Sequence, residues 1–405
     1  MKFKDMRKFK TASIMLIALI AILLVAKSVF TKDVLPAAIF KKRHTDIIVQ
    51  SDGTYTQTID IATQVLTDQA IEKFSTMRFA FFEKSETVEL ADAELIKPDG
   101  KIIVISNSTF VPATRITAQG PEFPDRKELV VVFPNLQRGD ITHYKVRVIQ
   151  KVAKFPNHFS LTQIFPNTVS WGDVKVRLTA PQDYKLKIRT VGMKEENQIS
   201  QKGSYKTWTW VLEEKESLGS VTTNAKLQSL QISSFLNYTD LAVAYNERAA
   251  SKSIVSPTIR TLADKVTEGI SNKNEQVKRL YEWVRKYIKY RAVYLADSGF
   301  IPNEAENVLM NRYGDCKDHA ILLEAFLKAK NISSTAVLIN TNFSGELPEV
   351  VNPDSFNHVI TYVPDLDMYL DSTNALAPFG VLPPEDRGRP VLHVNGSNTI
   401  EHTPR

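Results

Sequence analysis

Between about Arg43 and Leu236, apolar and polar positions alternate with a period of two, the spacing of strands that bury one face. The stretch HTDIIVQSDGTYTQTIDI divides into two such runs around Asp52-Gly53, a hairpin signal. SETVELADAELIKPDGKIIVIS repeats the form around Pro98-Asp99-Gly100, and KELVVVFPNLQRGDITHYKVRVIQ turns at Arg138-Gly139-Asp140. DVKVRLTAP, YKLKIRTV and SYKTWTWVL add three more alternating runs. Short strands separated by turn signals predict an all-β, sandwich-like domain over residues 43–245, built either as one large sandwich or as two small ones. Near residue 250 the period changes to that of helices. Ser256-Pro257 reads as an N-cap followed by proline at the first helical position, and Ile259, Leu262, Ala263 and Val266 follow at helical spacing. A second helix runs through NEQVKRLYEWVRKYIKY, with Val277, Leu280, Tyr281, Val284 and Ile288 on one stripe. A third covers roughly Glu304–Arg312, and a fourth is CKDHAILLEAFLKAKN. Strands SSTAVLIN, FNHVITYV and DMYLD come after. Helices first and strands afterwards predict an α+β domain over 250–382, with 383–405 a Pro-rich tail of little secondary structure.

Composition narrows the function classes. The chain has 405 residues, ordinary hydrophobic and charged fractions, and one cysteine, which excludes an intramolecular disulfide and a cysteine-rich zinc site. Its net charge of +6 is uneven: residues 1–43 carry +8, so the rest is at −2. A folded nucleic-acid-binding surface is therefore not expected. The basic start MKFKDMRKFK precedes an uncharged apolar run, Ala12 to Ala26. Residues 1–40 read as an export leader, either a cleaved signal peptide or a retained short anchor attached to the inner membrane through 12–26. The expected location is the periplasm, free or membrane-anchored.

Candidate chemistry centres on NRYGDCKDHA, which holds the single thiol among charged residues. Gly314 suits a tight entry turn, Asp315 an N-cap, and Asp318 the reciprocal position of a capping box. Cys316 then occupies the first helical position, where free amides and the helix dipole favour a thiolate. A cysteine nucleophile needs a base, and the base an orienting group. His319 lies on the same helix with no evident orienter. His358, on the strand FNHVITYV, is the better base. With residues 364–367 as a four-residue loop, positions 363 and 368 pair, and His358 and Asp371 become diagonal neighbours on one face, about 7–8 Å apart at the backbone. A loop one residue longer or shorter would put Asp371 on the other face. His143 and His158 stand alone and read as structural.

The order Cys316, His358, Asp371, with LMNRYGDCKDHAILLEAFLKAKNI, FNHVITYV and YLDSTN, resembles the bacterial transglutaminase-like superfamily, a relative of papain-type cysteine hydrolases. The strand region, through HTDIIVQSDGTYTQTIDI and VVVFPNLQRGDITHYKVRV, resembles the uncharacterised β-rich domain that often precedes such cores in exported bacterial proteins. The resemblance implies Cys316 as nucleophile, His358 as base and Asp371 as orienter. It implies acyl transfer from amide bonds of peptides or proteins in the cell envelope, with water or an amine as acceptor. No cofactor and no metal are implied. Tyr290 and Tyr313 are candidates for a second oxyanion donor beside the Cys316 amide. The alternative is an envelope binding or scaffold protein that uses the same fold with little or no turnover. Neither the substrate nor the oligomeric state is legible. The loop at 340–355, rich in Gly, Pro and Asn, reads as the cleft rim where specificity would reside.

Overall fold

The computed structural model describes residues 36–106, 108–112, 115–117, 120–122, 126–166, 169–196, 200–213, 227–291, 300–394 and 400–405. The leader at 1–40 lies almost wholly outside the described residues. No helix among the described residues is long and apolar enough to cross a membrane.

The alternating stretches of the first domain form one long sheet. Its strands run in the order Met193–Glu195, Tyr205–Leu212, Ser170–Pro181, Ala38–Val49, Tyr55–Val65, Ile141–Gln150, Glu86–Ile96, Ile102–Val104, and Ser200–Lys202 also pairs with Tyr205–Leu212. The two predicted hairpins form, with Val49 opposite Tyr55 and Ile96 opposite Ile102. Ala38–Val49 lies parallel to Ser170–Pro181, which joins the first and second halves of the domain. Two three-stranded sheets accompany the long one. Thr76–Phe82, Arg126–Val132 and Ser108–Pro112 share a core with it that includes Val65, Phe81, Leu95, Val131 and Val146. Ser160–Phe165, Gln228–Ser233 and Lys187–Val191 share a second core, with Val49, Phe165, Val176, Trp210 and Ile232. The domain is thus sandwich-like, one long sheet with a three-stranded sheet packed over each half, enclosing two cores. Phe40 touches both; its ring stacks on Trp171 at 4.8 Å and meets Phe74 edge-on at 5.8 Å.

The third turn forms where the sequence places it, and it joins two different sheets. Residues at Arg138-Gly139-Asp140 do turn, and Gly139 has φ +90°. The strands on either side do not pair with each other, however. Arg126–Val132 joins Thr76–Phe82 and Ser108–Pro112, whereas Ile141–Gln150 joins the long sheet. Eight residues separate the two runs, and Pro134 with Asn135 (φ 53°) redirects the chain between them. The short helix Asp68–Phe74, capped by Thr67, interrupts the all-β pattern.

In the second domain, four helices form where the periodicity places them: Pro257–Val266, Lys273–Tyr287, Ala305–Asn311 and Cys316–Ala329. The Ser256 hydroxyl accepts from the Ile259 amide, as an N-cap should. A further helix, Tyr238–Ala249, was assigned by pattern to the β-rich domain up to residue 245. It belongs to the second domain, because Leu241, Ala242, Tyr245 and Ala249 pack in the same core as Ile259, Val277, Leu280 and Phe326. The boundary therefore falls near Asn237, the residue that caps this helix.

The segment 383–405 also departs from expectation. It is not a tail. Pro390–His393 pairs antiparallel with Thr335–Ile339, and Ile400–His402 extends the sheet beyond it. The full order is Met368–Leu370, His358–Val363, Thr335–Ile339, Pro390–His393, Ile400–His402. Val391 and Leu392 are buried, so the last residues complete the core rather than trail from it.

Candidate active site

The cysteine helix is buried on nearly every side. Eleven of its residues, among them Ala320, Leu323, Phe326 and Leu327, are buried, which fixes the helix rigidly at the centre of the domain. Its N-terminus forms the capping box that the sequence predicts. Asp318 N donates to Asp315 Oδ1 at 3.3 Å and Asp315 N to Asp318 Oδ2 at 3.2 Å. Asp318 Oδ1 also accepts from the backbone amide of Asn303 at 2.7 Å. Gly314 is required for space rather than for unusual backbone angles. A Cβ there would lie 2.5 Å from the Asp318 Cβ, and φ at Gly314 is not positive. Behind the cap, the ammonium of Lys317 pairs with the Asp315 carboxylate, both groups buried. Burial opposes the lysine's charge, but Asp315 and Asp318 outweigh it and hold the group charged.

Cys316 opens this helix and is partly exposed. His358 opens the strand His358–Val363, pairing with Ile339 on the neighbouring strand. The register predicted from the loop length holds, with Val363 opposite Met368 across a short turn at Pro364–Leu366. Asp367 completes that turn in the left-handed region, φ 47°. The ladder stops at Thr361 opposite Leu370, and Asp371 lies one residue beyond it. From there its Oδ2 accepts from His358 Nε2 at 3.2 Å. Its Oδ1 accepts from Thr373 N at 2.8 Å and from the Thr373 hydroxyl at 2.6 Å. Tyr281 from the second helix donates to the Asp371 carbonyl at 3.0 Å. The carboxylate is therefore held by His358 and Thr373, and the backbone that carries it by Tyr281.

The Cys316 side chain acts on the His358 ring, as a hydrogen-bonding group and through its charge. With Nε2 committed to Asp371, the nitrogen left for the sulfur is Nδ1. Burial alone pushes His358 down, but hydrogen bonds to Asp371 and Cys316, together with their charges, hold the imidazole well above its ordinary value. Burial pushes Asp371 up, yet the hydrogen bond and charge of His358, with those from Thr373, hold it below the usual carboxylate range. Each group of this pair favours the charged form of the other.

His319 is not a base in this arrangement. Its Nδ1 hydrogen-bonds the Ser372 carbonyl at 3.0 Å, and burial pushes it down to about 4. It ties the cysteine helix to the turn that carries Asp371. Tyr290 packs edge-on against His319 at 6.0 Å, and the Arg291 guanidinium lies over the Tyr313 ring at 4.8 Å. The isolated histidines are structural: His143 sits between Asp60 (2.9 Å) and Glu94 (3.4 Å), and His158 stacks on Phe235 at 4.0 Å.

One residue of the site escaped the sequence. Asp386, from the short turn Pro384–Asp386, is fully buried and faces Asp371 and His358. Nothing in its local text, PPED, marks it; only the return of the last strands brings it inward. His358, Asp371 and Asp386 each offer one atom within 4.8 Å of the others. The histidine and Asp371 atoms already serve each other, so a proton fits this cluster better than a cation. On the β-rich domain Asp92, Glu94 and His143 also converge within 4.8 Å, with His143 likewise engaged. The loop expected at the cleft rim does not stand free. Asn352 donates to Thr162 at 3.0 Å and Glu349 pairs with Lys187 at 3.5 Å, so this segment braces the strand of His358 against the β-rich domain.

Residues 260–359 match the transglutaminase-like superfamily, and residues 51–214 match a domain of unknown function with solved structures, DUF3857. A crystal structure of a candidate protease from Parabacteroides distasonis ATCC 8503 is similar over 91% of this chain and 72% of its own, with a TM-score of 0.74 and 18% identity, and so shares the fold. A candidate cysteine protease from Cytophaga hutchinsonii aligns over 85% of this chain and 82% of its own at 11% identity, with a TM-score of 0.24, too low to carry an argument. The same holds for an M1 zinc metallopeptidase from Deinococcus radiodurans, with a TM-score of 0.28 and 10% identity over 48% of this chain and 42% of its own. No curated protein matches.

Proposed function

From a chain that carries a transglutaminase-like domain behind a β-rich one, we propose an exported cysteine hydrolase or acyltransferase acting on amide bonds of peptides or proteins, with Cys316 as nucleophile, His358 as base and Asp371 as orienter. The observation that carries the reading is the convergence of imidazole, carboxylate and thiol at one helix N-terminus, although the chain separates them by up to 55 positions.

The chemistry follows from the geometry. Asp371 fixes the ring and stabilises the imidazolium, so His358 accepts the Cys316 proton through Nδ1. The thiolate sulfur adds to the amide carbonyl carbon. Amides of the first helical turn, which the helix itself leaves without acceptors, lie where the oxyanion develops. His358 then returns its proton to the leaving nitrogen as the C–N bond breaks, leaving a thioester on Cys316. Water, or an amine, attacks that thioester with His358 as base; the thiol is released with an acid or a new amide.

The test uses the single cysteine. A thiol-reactive peptide-amide probe should label Cys316 in the wild type, and labelling should fall by about 100-fold or more in His358→Ala, the range of general-base contributions. Equal labelling of both chains would favour a binding or scaffold protein. Comparison of envelope peptides between wild type and Cys316→Ser would identify cleaved or cross-linked substrates. Intact mass of the protein recovered from the envelope would report whether the apolar segment 12–26 is retained as an anchor.

A further inference from the structure

Asp386 is charged in type but not in surroundings. It is fully buried, and neither side-chain oxygen receives a hydrogen bond from an N–H or O–H donor. What lies against it is the Asp371 carboxyl group, with an oxygen of each within 4.8 Å of the other. Two carboxylates buried this close repel each other strongly when both are ionised, and a proton on one of them removes that repulsion. Asp371 cannot supply that proton, since its oxygens already accept from His358 and Thr373.

The position of Asp386 is not accidental to a loose chain end. Its amide donates to the Pro383 carbonyl at 3.0 Å, and its own carbonyl accepts from the Thr403 hydroxyl at 2.5 Å. That hydroxyl also accepts from the Arg389 amide at 2.9 Å, so the turn is clamped to the final strand. The groups that act on Asp386 come from several elements: Asp371 and His358 from the sheet and Glu385 from its own turn, while Asp386 in turn acts on Tyr281 of the second helix. His358 acts on Asp386 as a cation, in the opposite sense to the two carboxylates.

We propose that Asp386 is a positioning residue of the site: a carboxylic acid that donates its proton to Asp371 and, on losing it, places a second negative charge behind His358. The inference rests on the catalytic reading above for its purpose, though not for its chemistry. In the protonated state, Asp386 draws off part of the Asp371 charge and completes the shell that orients the carboxylate. In the ionised state, it strengthens the hold of the site on the imidazolium. Burial and the Asp371 charge push Asp386 up to about 7, although His358 acts in the opposite direction. The exchange would thus fall near neutral pH, where the site has to function.

The experiment follows Asp386 and His358 by NMR, with carboxyl-carbon-labelled aspartate assigned through bonds in the wild-type chain. The Asp386 carboxyl should titrate near pH 7, and the imidazole of His358 should lose its proton about one pH unit or more lower in Asp386→Asn than in the wild type, since a charge at this distance shifts a neighbour by that order. Asp386→Asn keeps a donor toward Asp371, so its Cys316 alkylation rate at pH 6 should match the wild type, whereas Asp386→Ala should not. An Asp386 that titrates in the ordinary carboxylate range, or a His358 midpoint equal in wild type and Asp386→Asn, overturns the proposal. Alkylation requires no acyl transfer. Loss of peptide-probe labelling with these titrations intact would therefore sink the catalytic reading alone; failed titrations with labelling intact would sink this inference alone.

Discussion

Two histidines of the site, His319 buried and His358 partly buried, respond to pH in opposite senses. His319 is pushed from 6.5 down to about 4. Between those values the unfolded chain binds the proton and the folded chain does not, so stability rises with pH there. The contribution is fully present above pH 6.5 and is lost as pH falls toward 4, amounting to about 3 kcal/mol at 1.4 kcal/mol per unit. His319→Asn, which keeps a donor for the Ser372 carbonyl, should flatten the acid limb of a urea-denaturation series over that window; an unchanged limb would contradict it. His358 has the opposite sign. Its folded value is raised, so its contribution is present below 6.5 and is lost as pH climbs through the folded value. Lys317 is a third buried charge, and its role is to neutralise the cap beneath the thiol. Lys317→Met leaves Asp315 buried without its cation and should cost about 3–5 kcal/mol. The double variant Asp315→Asn/Lys317→Met should recover a large part of that loss, which equilibrium unfolding of the four chains would measure.

At the scale of elements, the legible parts were those where one local rule decides the outcome. The cysteine helix was readable because Asp315 and Asp318 are spaced for reciprocal capping, and the His358–Asp371 pairing because a four-residue loop fixes register. The helix Tyr238–Ala249 was missed although Asn237 and Asp240 offered a cap signal, because β-prone Tyr238, Thr239 and Val243 followed a long run of strands. The final strands were hidden by proline. Pro390 stands at the first position of its strand, where the missing donor does no harm, and strands of three or four residues are too short to show alternation. At Gly314 the constraint is space, not backbone freedom: a Cβ there would lie 2.5 Å from the Asp318 Cβ, a contact that arises only from the geometry of the helix start. Gly314→Ala should therefore displace the Asp318 carboxylate from the Asp315 and Asn303 amides and destabilise the fold by about 1–3 kcal/mol, as overpacking does. A lower midpoint in urea and a slower Cys316 alkylation rate would both be expected; a substitution silent in both would show that the helix start has room to adjust.

For the whole molecule, the question is whether the β-rich domain only precedes the site or helps to hold it. The tip of the first hairpin carries Gly53, where a Cβ would lie 2.5 Å from the His158 carbonyl, and Asp52 accepts from the Asn157 amide at 2.7 Å. The turn so gripped presents Phe155, which is buried in the core of the second domain, against Phe235 at 5.6 Å and Phe300 at 5.4 Å. Around it the guanidinium of Arg248 reaches the Lys154 carbonyl, and Lys154 pairs with Asp354 at 3.1 Å, just before the strand of His358. The exposed ion pair adds little, so the coupling depends on Phe155. A large ring of one domain in the core of the other predicts that both melt together, as a single transition in calorimetry. Phe155→Ala should remove about 3–5 kcal/mol and split that transition, with the transglutaminase-like domain melting first because the cavity opens on its side. Because Asp354 and Asn352 lie on the loop that leads into His358, the same variant should lower the alkylation rate of Cys316 below the first transition. Two separate transitions already present in the wild type, or a Phe155→Ala chain whose thiol reacts as before, would mean that the site is held by its own domain alone.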